Sequence, residues 1–255
     1  MNSPNVGAEE IAELINKDPA VLAQILKIIN SAYYSLPIEI SEAKPAVAYL
    51  GTNEVYRIIL SISVINTLAA NQKDEFNNIW FHSLLTSFCA KYFAQKFEPL
   101  LDKNELWTIA ILHDIGKLVY LKFFSEHYKE LRNYCKKHGC LFSEAEIYLS
   151  LPSSSYMGTL LCERWRLPDK IKKACSSHSL HDLKKINAES SKTPYITMVI
   201  LGNLVAVLST DEVIKEKRNE IIEEIIRTIN IDESDFMLIM GDVVQLKEEV
   251  SKLFL

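Results

Sequence analysis

Glycine is scarce in this chain, with seven in 255 residues, and no stretch alternates apolar and polar side chains long enough to read as a strand. Turn-rich β architectures are thereby excluded. Five cysteines, Cys89, Cys135, Cys140, Cys162 and Cys175, are odd in number and form no C-x-x-C, which excludes a disulfide framework and leads us to expect a reducing, cytoplasmic setting. No apolar run reaches the ~18 residues of a membrane span. The segment Met1 to Glu10 carries acids instead of the basic-then-apolar order of a signal peptide, so no membrane association is expected. Concentrated positive charge is missing too: 28 basic against 33 acidic residues leave a net charge of -5. With the basic residues scattered, there is no footprint for a nucleic-acid partner.

What the sequence does have is apolar content, 48 % of residues, enough for a substantial core. The apolar residues recur at three- and four-residue intervals, the period of helices that bury one face. Asp18-Pro19 reads as an N-cap followed by proline at the first helical position, with Val21, Leu22, Ile25, Ile28 and Ile29 as the buried stripe. Ser41 and Thr52 are read as caps of two further helices, the first stopping at Gly51. Asp74 is read as opening a long helix that contains His82 and runs to about Phe97, before Pro99. Asn104 is read as capping an apolar helix, Glu105 to Ile115. Ser125 caps a polar helix that ends near Gly139, and Ser143 with Glu146 has capping-box spacing. Pro152 and Ser153 to Ser155 mark a loop, Pro168 starts a helix toward His178, and His181 to Thr193 reads as a surface connection. Pro194 opens a second strongly apolar helix, carrying Asn203. From Asp211 onward the chain alternates charged and apolar faces, with Ile214, Ile221 and Ile225 inward and Asp232 capping the last helix. The expected division is 1–72, 73–210 and 211–255, joined without flexible linkers.

The chemistry gathers at Ile111-Leu112-His113-Asp114-Ile115-Gly116-Lys117. Adjacent His and Asp diverge on a helix, but at a helix end beside a glycine both can reach one cation. Two ligands rarely hold an ion such as Fe, Mn, Zn or Mg, so His82 is the candidate third. The competing account is structural: His113 and Asp114 bond each other and cap neighbouring helices. Cys135-x-x-His138-x-Cys140 brings three donors into six residues, but with no second donor cluster it carries little weight as a zinc site. His127 and His181 read as surface residues.

Asp18-Pro19-Ala20, Asn30-Ser31-Ala32-x-Tyr34, Leu50-Gly51, Trp80-x-His82-Ser83-Leu84, the His113-Asp114-Ile115-Gly116-Lys117 segment and Trp165-x-Leu167-Pro168 together resemble an HDOD domain, a relative of the HD phosphohydrolases found in bacterial signalling proteins. The resemblance runs from residue 9 to about 210. It implies an all-α, multi-helix HD-domain-like bundle with an N-terminal helical subdomain, and the alternating faces of 211–255 lead us to expect that this tail packs on the bundle. His82, His113 and Asp114 then correspond to metal ligands, Asn203 stands where the closing aspartate is expected, and Ser154 and Ser179 stand where histidines are common. An amide is a weaker donor than a carboxylate and removes a negative charge from the site. The resemblance also implies a helix ahead of Ala8 to Asn16 that this sequence does not supply. Lys117 by this resemblance contacts a phosphate. On its own chemistry it reads as a lysine that snorkels out of an apolar helix.

The reading that follows is a non-catalytic bacterial regulatory protein acting through a protein partner or a small ligand, with a nucleotide as a possible ligand. No cofactor is expected beyond a possible divalent metal ion. The alternative is a metal-dependent phosphohydrolase in which His82, His113 and Asp114 hold the ion and Lys117 steadies phosphate. Asn30, Ser31 and Tyr34 form a candidate structural or signalling motif. Tyr33, Tyr34 and Leu36 read as core or as the floor of a docking groove.

Overall fold

The computed structural model describes residues 7–31, 34, 36–69, 72–189, 193–210 and 213–253. Every regular element among them is a helix, as the scarcity of glycine and the three-to-four spacing require. Ala32, Tyr33 and the start assigned to Asp211 lie outside the described residues. No helix among those described is long and apolar enough to cross a membrane. The chain divides into two compact units, one of residues 1–67 with 249–255, the other of residues 68–248.

The first unit holds α1 (Ala8–Asn16), α2 (Pro19–Ile29), α3 (Ala43–Leu50) and α4 (Thr52–Thr67). Asp18 caps α2, its Oδ1 accepting the Val21 N–H at 3.1 Å, and Ile25, Ile28 and Ile29 are buried. Helix α3 begins after Glu42, not at a Ser41 cap. It ends at Gly51, whose φ of 80° suits a residue without Cβ. Each member of the candidate motif Asn30, Ser31 and Tyr34 hydrogen-bonds within this unit. Asn30 Nδ2 donates to the Ile40 carbonyl at 2.7 Å while its Oδ1 accepts the Ile40 N–H at 2.8 Å. Ser31 donates to the Ile28 carbonyl, and the Tyr34 hydroxyl donates to buried Glu54 at 2.6 Å.

In the second unit α5 (Lys73–Phe97), α6 (Lys103–Ile111), α7 (Ile115–Phe123) and α13 (Pro194–Leu208) form the core. Around them run α8 (Ser125–His138), α9 (Phe142–Tyr148), α10 (Ser154–Trp165), α11 (Asp169–Ser176), α12 (Leu180–Glu189), α14 (Lys215–Ile229) and most of α15 (Glu233–Lys252). Two glycines set the closest approaches. A Cβ at Gly202 of α13 would meet the Thr86 carbonyl oxygen of α5 at 2.6 Å, and one at Gly116 of α7 would fall 1.8 Å from the Ser154 carbonyl oxygen.

Several local expectations are corrected. The apolar helix is capped by Asp102, whose Oδ1 accepts the N–H groups of Asn104 and Glu105, so the helix starts two residues earlier than an Asn104 cap would set it. It stops at Ile111, not at Ile115. Glu146 is not a capping partner of Ser143. It is buried and accepts the Ser154 N–H at 2.7 Å, while Glu144 bonds back to the Leu141 N–H. The stretch from His181 is helical through Glu189, since Ser179 and Asp182 cap it reciprocally and Leu180 and Leu183 are buried. Ile214 is half exposed where an inward side chain was expected.

Candidate functional site

The early stop of α6 creates the site. His113 and Asp114 occupy the turn between α6 and α7, where the backbone leaves helical geometry and both side chains project to the same side. The apolar residues before and after them bury the pair, leaving His113 1 % and Asp114 2 % exposed. His82 reaches in from α5, Lys117 from the first turns of α7, His178 from the link between α11 and α12, and Asn203 from the middle of α13.

Asp114 is the centre. Its Oδ2 accepts from Lys117 Nζ at 2.7 Å and lies 3.4 Å from His113 Nε2 and 3.6 Å from His82 Nε2. Its Oδ1 lies 3.2 Å from His178 Nε2. Burial alone would push the carboxyl up. The Lys117 ammonium, the largest opposing influence, outweighs burial and holds it well below the usual carboxylate range. The side chain is therefore a carboxylate with its principal counter-charge only 21 % exposed. Lys117 does not snorkel to water. Its ammonium turns back onto Asp114, three residues earlier, and lies 5.2 Å from the centre of the Phe142 ring.

Each imidazole is oriented by a different partner. His113 Nδ1 donates to the Ala110 carbonyl at 2.6 Å, which leaves Nε2 as a buried lone pair without a hydrogen-bond partner. His82 Nε2 lies 2.8 Å from Asn203 Oδ1. The Asn203 amide cannot turn freely, because its Nδ2 donates to the His178 carbonyl at 2.8 Å. Its oxygen therefore faces His82, and the ring must spend its Nε2 proton there. Burial, reinforced by Lys117, lowers the His82 pKa to about 3, and burial lowers that of His113, so both rings are neutral. For His178 burial acts in the same sense, but the Asp114 carboxylate beside it overcomes burial and raises the value. Although Asp114 Oδ1 sits beside His178, it has no aligned donor. With His178 Nδ1 donating to Ala174 at 2.9 Å, the neutral ring would present a lone pair to the carboxylate, so the protonated form is the one that fits.

Among the described residues, His82, His113 and Asp114 offer ligand atoms all within 4.8 Å of one another, close enough to share an ion. His113 Nε2, which makes no hydrogen bond, suits a cation. The other two positions do not: His82 Nε2 is committed to Asn203, and Lys117 already sits on Oδ2. The donor set present therefore fits a resident metal poorly.

His178 was not assigned to the site from sequence. The signal lay in the adjacent Ser179, noted for standing where histidine is common. Ser154 sets its carbonyl against Gly116 and gives its N–H to Glu146. Cys135, His138 and Cys140 do not converge on one point, for His138 stacks on Tyr134 with ring centres 4.2 Å apart. His127 and His181 are exposed.

A cavity of about 310 Å³ opens beside Asp114 and Lys117, between α5, α8 and the C-terminal part of α13. Its walls are mixed, with Ile79, Leu85 and Val207 apolar, Tyr128 and Phe142 aromatic, and Arg132 and Lys136 charged.

The HDOD domain profile matches residues 1–180, so Asn203 lies beyond the matched span. An uncharacterized protein of Treponema pallidum is 22 % identical over 204 residues, which are 80 % of this chain and 39 % of that protein. This chain thus spans about two fifths of the length of that relative. Among solved structures, an HDOD domain protein of unknown function from Geobacter sulfurreducens aligns over 100 % of this chain and 89 % of its own, with a TM-score of 0.71 and 22 % identity. A Shewanella amazonensis protein named as a metal-dependent phosphohydrolase aligns over 98 % of this chain and 87 % of its own, TM-score 0.67, 17 % identity. A Marinobacter aquaeolei protein named for signal transduction aligns over 98 % of this chain and 55 % of its own, TM-score 0.67, 17 % identity. These likenesses establish a shared fold. With the profile covering well over half of the sequence and the His-Asp turn set in this all-helical fold, the chain belongs to the HDOD domain family.

Proposed function

We propose that this chain is a non-catalytic signalling module, acting by binding a protein or a small ligand, in which the HD-like centre is a self-neutralised polar node. The observation that carries the reading is the 2.7 Å contact of Lys117 Nζ with Asp114 Oδ2. A hydrolytic ion site keeps its carboxylate for the metal, whereas here a side chain supplies the positive charge. Asn203 adds to this, since it offers no negative charge and occupies His82. The signal-transduction name carried by a structural neighbour fits the same role, as do five free thiols, which suit a reducing cytoplasm.

The test is metal content of the purified protein together with turnover on cyclic dinucleotides and generic phosphate esters. The expected result is substoichiometric transition metal and no turnover in the wild type. Asn203→Asp, which adds a carboxylate and its negative charge to the site, is expected to retain more metal. Stoichiometric metal with turnover in the wild type, both abolished by His113→Ala, overturns the proposal.

A second reading is a metal-dependent phosphohydrolase. It is favoured by two buried atoms without an aligned hydrogen bond, His113 Nε2 and Asp114 Oδ1, and by the name of a structural neighbour. In that reading His82, His113 and Asp114 would hold the ion, whose chemistry would be the activation of water, and Lys117 would contact the substrate phosphate.

A further inference from the structure

We infer that the cavity beside Lys117 is a binding site for a single nucleoside monophosphate, held without a metal by Lys117 and Lys136 and packed against an apolar and aromatic wall. The inference rests on the reading of the chain as a non-catalytic module and names its ligand.

Charge gives the first part of the ligand. The cavity is lined by three cationic side chains, Lys117, Arg132 and Lys136, and by one carboxylate, Asp114. Lys117 answers Asp114 at 2.7 Å, and Arg132 faces Glu75 at 3.8 Å. Lys136 is exposed at the cavity wall and makes no ion pair among the described residues. The lining therefore carries excess positive charge. The Lys117 ammonium has three N–H donors and gives one to Asp114, so two remain for an oxyanion beside it.

The walls give the second part. Ile79, Leu85 and Val207 make a surface that an inorganic anion would leave in contact with water. Tyr128 and Phe142 supply aromatic rings on the same cavity, and a flat base stacked on an aromatic ring contributes about 1–3 kcal/mol. An acidic group joined to a planar, largely apolar body meets both requirements, and a nucleotide has that composition.

Size decides how many nucleotides. A volume of about 310 Å³ stands at the lower end of the roughly 300–1,000 Å³ usual for small-molecule sites. One base, one ribose and one phosphate fill it. A cyclic dinucleotide, with two of each, exceeds that volume. Arg132 and Lys136 lie on α8, outside every residue that the His-Asp motif brings together, so the site extends beyond the HD centre.

The experiment is calorimetric titration of the full chain in EDTA with adenosine and guanosine monophosphate. Inorganic phosphate, adenosine and a cyclic dinucleotide serve as comparisons. At least one monophosphate is expected to bind at a single site about tenfold or more tightly than any of the three comparisons. Lys136→Glu at the wall and Val207→Phe, which fills the cavity, are each expected to weaken that binding about tenfold with an unchanged melting temperature. Should either variant fail to fold, Lys136→Gln is read in its place and is expected to weaken binding in the same direction. Equal affinity for inorganic phosphate, tighter binding of the dinucleotide, or binding indifferent to the substitutions overturns the inference. Metal-dependent hydrolysis in a parallel assay without EDTA would sink the non-catalytic reading alone, because the binding arms are metal-free and decide the ligand class separately.

Discussion

The two polar clusters of this chain, Asn30-Ser31-Tyr34 in the first unit and the Asp114 centre in the second, obey opposite rules of hydrogen bonding. Asn30 spends both ends of its amide on one backbone residue, Ile40, and Ser31 and Tyr34 each have a partner within the same unit. At Asp114 four side chains converge on one carboxylate, yet His113 Nε2 and Asp114 Oδ1 remain buried without an aligned hydrogen bond. A satisfied cluster fixes backbone geometry and asks for nothing more. An unsatisfied one costs free energy, about 1–3 kcal/mol per group, and a fold keeps such a cost where the groups serve something beyond packing.

The sharpest way to break this contrast is to disturb the backbone that holds the second cluster. Gly116→Ala places a Cβ 1.8 Å from the Ser154 carbonyl oxygen and 2.9 Å from the Gly158 nitrogen. Neither backbone atom can swing aside as a side chain would, so α7 and α10 must separate. We expect a loss of about 3 kcal/mol or more, read as a lowered denaturant midpoint. A variant as stable as the wild type would show that the approach of these helices is looser than described.

Next in size is the counter-charge itself. Lys117→Met removes the ammonium from Asp114 and leaves the carboxylate with His178 as its remaining cationic partner. Breaking a buried pair costs about 3–5 kcal/mol. With Lys117 21 % exposed, water reaches the vacated space and the expected loss is about 2–3 kcal/mol. The informative readout is rescue. If the lysine stands in for a cation, added Mn²⁺ or Zn²⁺ should raise the melting temperature of Lys117→Met while leaving the wild type unmoved. Equal response of the two proteins would mean that Lys117 and a metal do not compete for the same oxygen.

Much of this arrangement was legible in the sequence, and the misses have physical causes. The helical class, the Asp18-Pro19 start and Gly51 at a helix end follow from local rules, since caps and φ preferences act within a few residues. The convergence of His82, His113 and Asp114 was legible through the family resemblance and the His-Asp-x-Gly pattern. What was missed depends on direction. Lys117 stands three residues after Asp114, a spacing that allows an ion pair on a helix, but whether a lysine turns inward or outward is decided by which charge is buried beside it. His178 and the orientation of the Asn203 amide are set by elements distant in sequence, α11 and α13, and spacing says nothing about those. Asp102 displaced Asn104 as a cap and Glu146 became a buried acceptor for the same reason: several polar residues within one turn compete, and tertiary burial picks the winner.

The smallest expected effect sharpens the first cluster. Asn30→Ala removes both bonds to Ile40, and because that pair is exposed, water replaces part of what is lost, giving a destabilisation of about 1 kcal/mol. Asn30→Asp is nearly the same shape and separates the two bonds. It keeps an acceptor for the Ile40 N–H but turns a second oxygen toward the Ile40 carbonyl, where the amide now donates at 2.7 Å. The ionised form is disfavoured there, so the introduced carboxyl should have a higher pKa folded than unfolded. A group of that kind contributes stability below its unfolded value, because the protonated carboxyl donates to the carbonyl as the amide did. That contribution is lost as pH rises through the folded value. Asn30→Asp should therefore match the wild type in acid and fall toward Asn30→Ala near neutrality. The comparison is made as the difference in melting temperature from wild type at each pH, alongside exchange protection of the Ile40 amide. A pH-independent difference would mean that the amide's donor contributes nothing and that one bond, from the Ile40 N–H, holds the turn.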